Sequence, residues 1–277
     1  MTRPKRELTA HVTAVTSDGV RLRGVHLPGP SAGCPAPGRP DTAIVVAHGF
    51  TNHSATPAMD RLLRRLARRA AVFAFDFRGH GRSGGATSVG DREVLDIAAA
   101  VGFARNCGFR HVATLGFSLG AAVVLRHTAL SDPAHRPQAV CAVSGPARWW
   151  VRETAPMRRV HWLLEQPAGR LVARSLGVRL GAPWREVPLS PVEVADRVAP
   201  TPLLLLHGER DHYLPTDHAV ALHDAAGEHG ELWLERDMGH GEGGMTPAVA
   251  DRVAEWLLDH AVPPTRHRHL IKTGMSG

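Results

Sequence analysis

Hydrophobic positions along this chain repeat with two different periods, and the periods alternate. Residues 8–16 and 20–27 place β-branched or apolar residues at every second position, with Ser17-Asp18-Gly19 between them, so an antiparallel hairpin is predicted at the start. A Pro- and Gly-rich stretch from Pro28 to Pro40 predicts an irregular connection. Beyond it, continuously apolar runs at 43–47, 71–76, 111–116 and 138–143 predict strands, and segments at 57–69, 91–106 and 119–129 between them predict helices. Strands that are apolar throughout and separated by helices make a parallel sheet covered on both faces.

The rhythm breaks between Arg148 and Glu186, where helical patterns rich in Trp and Arg replace strand-like runs. It resumes with a strand at 202–207, a helix at 216–226, a strand at 230–235 and a helix at 247–260. The expected organisation is one α/β core formed by residues 8–147 and 187–260, a helical insertion at 148–186, and a loose polar tail at 261–277.

Composition narrows the class. Of 277 residues, 43% are hydrophobic and 21% charged, which excludes disordered, collagen-like and coiled-coil readings. The net charge of +7 alone would point to nucleic acid or a membrane surface, but the only lysines are Lys5 and Lys272 and the arginines are spread along the chain. A coding bias accounts for that spread, and no nucleic-acid partner is expected. Cys34, Cys107 and Cys141 lack disulfide-framework or metal spacing and fit a reducing, cytoplasmic setting. No apolar segment follows the basic start, so a secretory signal is not expected. The apolar stretch Val112–Leu125 is too short to span a bilayer, so no stable membrane insertion is expected either.

Candidate chemistry lies at strand ends. Gly116-Phe117-Ser118-Leu119-Gly120 falls where a strand gives way to a helix. A serine on such a sharp turn has an exposed oxygen in a strained backbone, and flanking glycines let strand and helix approach. Read blandly, it is a small serine in a Gly-rich chain; the strand-to-helix context favours a nucleophile. A serine hydroxyl needs a base, and the base an orienting acid. The strand at 202–207 ends in His207-Gly208-Glu209-Arg210-Asp211, from which Asp211 is taken as the acid and Glu209 is its local rival. After the strand at 230–235 comes Arg236-Asp237-Met238-Gly239-His240-Gly241, from which His240 is taken as the base. With 18 histidines in the chain, a His in a given loop means little. The order Ser, acid, His after successive strands means more. Donors for a developing oxyanion would be the N–H groups of Leu119 and of Phe50 in the turn His48-Gly49-Phe50-Thr51.

Together, His48-Gly49-Phe50, Asp76-Phe77-Arg78-Gly79-His80-Gly81-Arg82-Ser83, Gly116 to Gly120, His207 to Asp211 and Gly239-His240 resemble the α/β-hydrolase superfamily, specifically its serine esterase, lipase and aminopeptidase-like group, over about residues 12–260. The resemblance implies a mostly parallel eight-stranded sheet with helices on both faces and a short helical lid after the sixth strand, matching residues 148–186. It implies acyl transfer to water through an acyl-enzyme, with no cofactor. Ser118 sets the chain apart from relatives that carry Asp there, such as haloalkane dehalogenases and epoxide hydrolases.

Other motifs carry less. Gly79 to Gly84 formally matches a dinucleotide fingerprint, but the helix opens only near Asp91 and no strand-end acid follows at the required distance. His267 and His269 read as solvated tail residues, Asn52-His53-Ser54 as an empty glycosylation match, and Ser144-Gly145-Pro146 as a poor second nucleophile because its proline spoils a helix start. The insertion carries eight Arg and three Glu together with Trp149, Trp150, Trp162 and Trp184. An apolar lid with basic flanks suits a hydrophobic acyl or aromatic substrate, and Trp149, Trp150 and Trp162 are taken as substrate-binding; docking on a membrane surface is a weaker use for it. The sequence reading is thus a serine hydrolase of esters, thioesters or small amides acting on a small-molecule acyl substrate. The alternatives are a non-catalytic binding protein on the same fold, and an acyltransferase using the same residues.

Overall fold

The computed structural model describes residues 9–30 and 42–262. Most of the predicted connection at 28–40 and nearly all of the predicted tail at 261–277 lie outside the described residues. One eight-stranded sheet organises the rest. Its strands are β1 (Ala10–Val15), β2 (Arg21–Leu27), β3 (Thr42–Ala47), β4 (Ala71–Phe75), β5 (His111–Phe117), β6 (Ala139–Val143), β7 (Leu203–Gly208) and β8 (Gly230–Glu235), in spatial order β1-β2-β4-β3-β5-β6-β7-β8. β1 and β2 pair antiparallel, as does β2 with β4; every pairing from β4 to β8 is parallel.

The helices are α1 (Pro57–Leu66), α2 (Glu93–Asn106), α3 (Leu119–Leu130), α4 (Ala155–Glu165), α5 (Pro167–Ser175), α6 (Asp217–Ala226), the single turn α7 (Gly241–Gly244) and α8 (Pro247–Ala261). α1 shows how sequence sets an element here. Pro57 opens it, Met59, Leu62, Leu63 and Leu66 form its buried stripe, and Asp60, Arg64 and Arg65 stay on the other side. α1 and α8 cover one face of the sheet with Ile44, Val46, Leu115, Phe117 and Leu204; α2, α3 and α6 cover the other with Val45, Phe73, Val140 and Leu205. Burial of each such side chain is worth roughly 1.5–3 kcal/mol. That two-sided burial is why the central strands read as unbroken apolar runs.

Boundaries shift by one to three residues from the pattern. The clearest case is α2, expected from residue 91 but starting at Glu93. Glu93 is fully buried, and its carboxylate accepts from Thr87 Oγ1, Ser88 N, Ser88 Oγ and Gly90 N, so the residues before it form a loop fastened to the helix start. α4 and α5 occupy the stretch between β6 and β7 where the strand rhythm breaks. The far leg of the stretch between β6 and β7 is stapled to the loop after β4 by backbone bonds Arg179 N to Gly79 O, Thr87 N to Arg179 O and Gly181 N to Thr87 O, each 2.8 Å.

Candidate active site

Four loops, at the C-terminal ends of β3, β5, β7 and β8, meet over the sheet. Ser118 sits between β5 and α3 with φ 52° and ψ −114°, a conformation non-glycine residues adopt at a cost. The glycines on either side make the turn sterically feasible. A Cβ at Gly116 would fall 2.3 Å from Gly120 O, and one at Gly120 would fall 2.3 Å from Ala47 O. Ser118 N–H donates to Val143 O at 2.9 Å, which fastens the turn to the neighbouring strand.

Asp211 lies in the turn after β7 with its side chain only 1% exposed. Its Oδ1 accepts from Tyr213 N at 2.8 Å and Leu214 N at 3.0 Å, and its Oδ2 accepts from His240 Nδ1 at 2.7 Å. Burial alone would raise the Asp211 pKa, but the bond and charge of His240 and the two backbone donors outweigh it and hold the carboxyl below its ordinary value. With Nδ1 carrying the proton toward Asp211, His240 Nε2 is left with a lone pair. Glu209, the rival acid, is exposed and meets no part of this arrangement. The His240 loop is held from below: Gly241 N–H donates to Ser144 Oγ at 3.2 Å, and Gly244 N–H returns to His240 O at 3.0 Å.

Ser118 and His240 line one cavity of about 660 Å³, together with Phe50, Leu119 and Trp149. Among the described residues no hydrogen bond joins Ser118 Oγ to His240. Leu119 is the first residue of α3, where a helix leaves the N–H without an intrahelical acceptor. The orientation of Phe50 N–H has a traceable cause. His48 is buried; its Nε2 accepts from Phe77 N at 2.9 Å, so its Nδ1 carries the proton and donates to Gly49 O at 2.8 Å. Burial, with the nearby His80 adding to it, pushes the His48 pKa down to about 3, so the ring stays neutral in that tautomer. With Gly49 C=O pinned toward His48, the N–H across the trans peptide, that of Phe50, points the opposite way.

The three tryptophans separate. Trp149 is buried, donates from Nε1 to Pro188 O at 2.7 Å and lines the Ser118 cavity. Trp150 is half exposed and lines a neighbouring cavity instead. Trp162 corrects the expectation: it is 47% exposed and lines neither cavity, because the α4 residues around it, Val160, His161, Leu163 and Leu164 among them, face inward and Trp162 lies on the other side.

Two groups in the site escaped the sequence reading. Tyr213, the chain's single tyrosine, stacks on the His240 ring with centroids 4.5 Å apart and planes 28° apart. Glu242, buried two residues after His240, accepts from Asn52 Nδ2 and faces the Gly49 backbone, so it bridges the His240 loop to the turn after β3. The pattern Gly-His-Gly-Glu-Gly-Gly offered the only hint of it. Among the described residues no group of three or more His, Cys, Asp or Glu is arranged to hold a metal ion.

A parallel sheet with antiparallel β1 and β2, and a strained serine at the β5–α3 turn, defines an α/β-hydrolase. The chain belongs to the serine aminopeptidase S33 family, whose family model matches residues 38–186; a TAP-like protein model matches residues 178–268. Solved structures share the fold. The esterase Pf2001 of Pyrococcus furiosus is 22% identical with a TM-score of 0.69, covering 92% of this chain and 93% of its own. The α/β hydrolase GrgF of a Penicillium species is 17% identical with a TM-score of 0.70, covering 92% and 99%. The esterase domain of a Rhodothermus marinus protein is 23% identical with a TM-score of 0.61, covering 92% and 100%. No curated protein matches the sequence.

Proposed function

We propose that this protein is a serine hydrolase that cleaves a carboxylic ester of a small-molecule acyl substrate through an acyl-enzyme. The observation that carries the reading is the 2.7 Å bond from His240 Nδ1 to the buried Asp211 carboxylate, with His240 and Ser118 on the wall of one cavity. Ser118 Oγ attacks the ester carbonyl carbon while His240 Nε2 takes its proton. The carbonyl oxygen becomes an oxyanion held by Phe50 and Leu119 N–H, collapse breaks the bond to the alcohol oxygen, and His240 returns the proton to the leaving alcohol. Water then attacks the acyl-enzyme with His240 again as base, releasing the acid and restoring Ser118. The residues at 148–186 act as a lid over this cavity, contributing Trp149 and the inner face of α4.

An ester is favoured over the amine-bearing substrate that the family name mentions. Glu242 is the sole carboxylate among the residues lining the cavity, and it is engaged with Asn52 and the Gly49 backbone, leaving no free anion for an ammonium group. A reducing, cytoplasmic setting accompanies this reading, supported by free thiols at Cys107 and Cys141. Within the described residues no helix is long and apolar enough to cross a membrane.

Reaction with a fluorescent fluorophosphonate tests the proposal, since it labels only an activated serine. Labelling of the wild type that disappears in Ser118→Ala is expected, with hydrolysis of p-nitrophenyl butyrate lost in parallel. Wild-type protein that is folded but unlabelled, or Ser118→Ala that labels equally, defeats it.

A further inference from the structure

Next to the Ser118 cavity lies a second one of about 430 Å³, walled by Trp150, Leu164, Pro167, Leu180, Pro183 and Trp184. Val89, His161 and Leu164 line both, so they are the partition between the two. The polar groups around the second chamber are already engaged. Arg170 donates to Leu180 O at 2.9 Å and Gly181 O at 2.7 Å; Glu165 pairs with His161 Nδ1 at 3.0 Å and Arg152 at 2.6 Å; Trp184 Nε1 donates to Ser88 O. A group that fills this chamber therefore meets apolar walls, two of them indole rings.

The three partition residues differ in kind. His161 is fixed, its Nε2 accepting from Val151 N at 3.2 Å while Nδ1 faces Glu165. Leu164 is an ordinary helical side chain. Val89 has φ +54°, in the left-handed region where a β-branched residue is a true outlier. The surrounding loop holds it there: Val89 N donates to Thr87 Oγ1 at 3.1 Å, and the buried Glu93 carboxylate fastens Thr87, Ser88 and Gly90 around it. Glycine would take this backbone without strain, and glycine would open the wall. Strain of this kind persists where the surrounding structure over-determines it, and it collects at functional sites.

We infer that Val89 is the specificity-determining residue of the site: its side chain closes the Ser118 chamber off from the tryptophan-walled chamber and so limits the length of apolar acyl chain that reaches Ser118. The inference rests on the serine-hydrolase reading. Its substrates are esters of short to medium linear acyl groups, and removing the wall extends the range to long ones.

The test compares kcat/KM for p-nitrophenyl butyrate, octanoate and dodecanoate in wild type, Val89→Gly and Leu164→Ala. Each methylene newly buried is worth about fourfold in affinity, so the dodecanoate-to-butyrate ratio is expected to rise about tenfold or more in Val89→Gly. Leu164→Ala, which thins the same wall from the insertion side, shifts the ratio in the same direction. A second readout needs no turnover: the dissociation constant of dodecanoate from indole fluorescence, measured in Ser118→Ala and in Ser118→Ala with Val89→Gly, falls in the double variant. Equal dodecanoate affinity in the two proteins, or an unmoved ratio in an enzyme that is labelled at Ser118, overturns the inference. Absent labelling with tighter dodecanoate binding in the Val89→Gly protein instead defeats the hydrolase reading and upholds the partition.

Discussion

Replacing Asp211 with Asn separates the chemistry of the site from its architecture. The carboxylate makes three bonds: Oδ1 accepts from Tyr213 N at 2.8 Å and Leu214 N at 3.0 Å, and Oδ2 accepts from His240 Nδ1 at 2.7 Å. In Asp211→Asn the amide oxygen stays on the two backbone donors, because turning it would aim an NH₂ at both N–H groups. The NH₂ then faces His240 Nδ1, which must accept, and the imidazole proton moves to Nε2. That tautomer presents a proton toward Ser118 where a lone pair is needed. The expected outcome is a fall in kcat of roughly a thousandfold to ten-thousandfold. KM changes little, since Asp211 does not line the cavity. Stability stays close to wild type because both backbone bonds survive. Asp211→Ala leaves the Tyr213 N–H to water but strands the part-buried Leu214 N–H at about 1–3 kcal/mol, and its melting temperature falls by several degrees, at about 2–4 °C per kcal/mol for a domain of this size. Steady-state hydrolysis of p-nitrophenyl butyrate and thermal melts of both variants decide the matter. An Asn variant within tenfold of wild-type kcat, or one that melts as low as the Ala variant, refutes the reasoning.

Ser118→Gly and Ser118→Ala are both expected to be inactive, but the glycine relieves a backbone strain worth about 1–3 kcal/mol and so melts at the higher temperature; equal melting points contradict the strained turn. Burial holds the Glu242 pKa above its ordinary value despite its hydrogen bonds, so this carboxyl costs stability as pH rises from its unfolded toward its folded pKa. Relative to wild type, Glu242→Gln therefore gains in melting temperature as pH is raised through the carboxylate range, and a difference independent of pH refutes this. Gly120→Ala puts a Cβ 2.3 Å from the backbone oxygen of Ala47, which cannot swing away, and costs about 1–3 kcal/mol or more in urea unfolding. Gly102→Ala, inside α2 with open space around it, is the control and adds about 0.5–1 kcal/mol of stability.

The parallel sheet was legible because its strands are buried on both faces and its helices announce themselves by period. The positions of Ser118, Asp211 and His240 were legible for a related reason: in a parallel sheet residues after successive strand ends converge on one edge, so order along the chain maps to nearness in space. The place of Trp162 was not legible, since residue type alone does not say which side of α4 a tryptophan takes. Glu242 with Asn52 was not legible at all. The pair joins positions 190 residues apart through a contact that only the packing of two loops creates. Val89 was equally silent, since its significance is a backbone angle imposed by Glu93 and a wall shared with α4, and neither is written in local composition.

Backbone strain gives the site a coherence that residue types alone do not. Among the described residues the non-glycine positions with positive φ are Val89, Ser118 and Ser144. Ser118 and Val89 both line the cavity, Val89 on the wall it shares with the second chamber, and Ser144 at the end of β6 holds Gly241 beneath His240. Each such residue costs roughly 1–3 kcal/mol, and no helix or strand interior requires any of them. Their restraint comes from the sheet: Ser118 N–H is fixed to Val143 O and Ser144 N–H to Leu206 O, at 2.9 and 2.8 Å, so the strained turns are anchored to β6 and β7. Two of these three strained residues line one cavity and the third supports the His240 loop beside it, and strain of this kind collects at functional sites. Ser144, a poor nucleophile, is the support of the His240 loop.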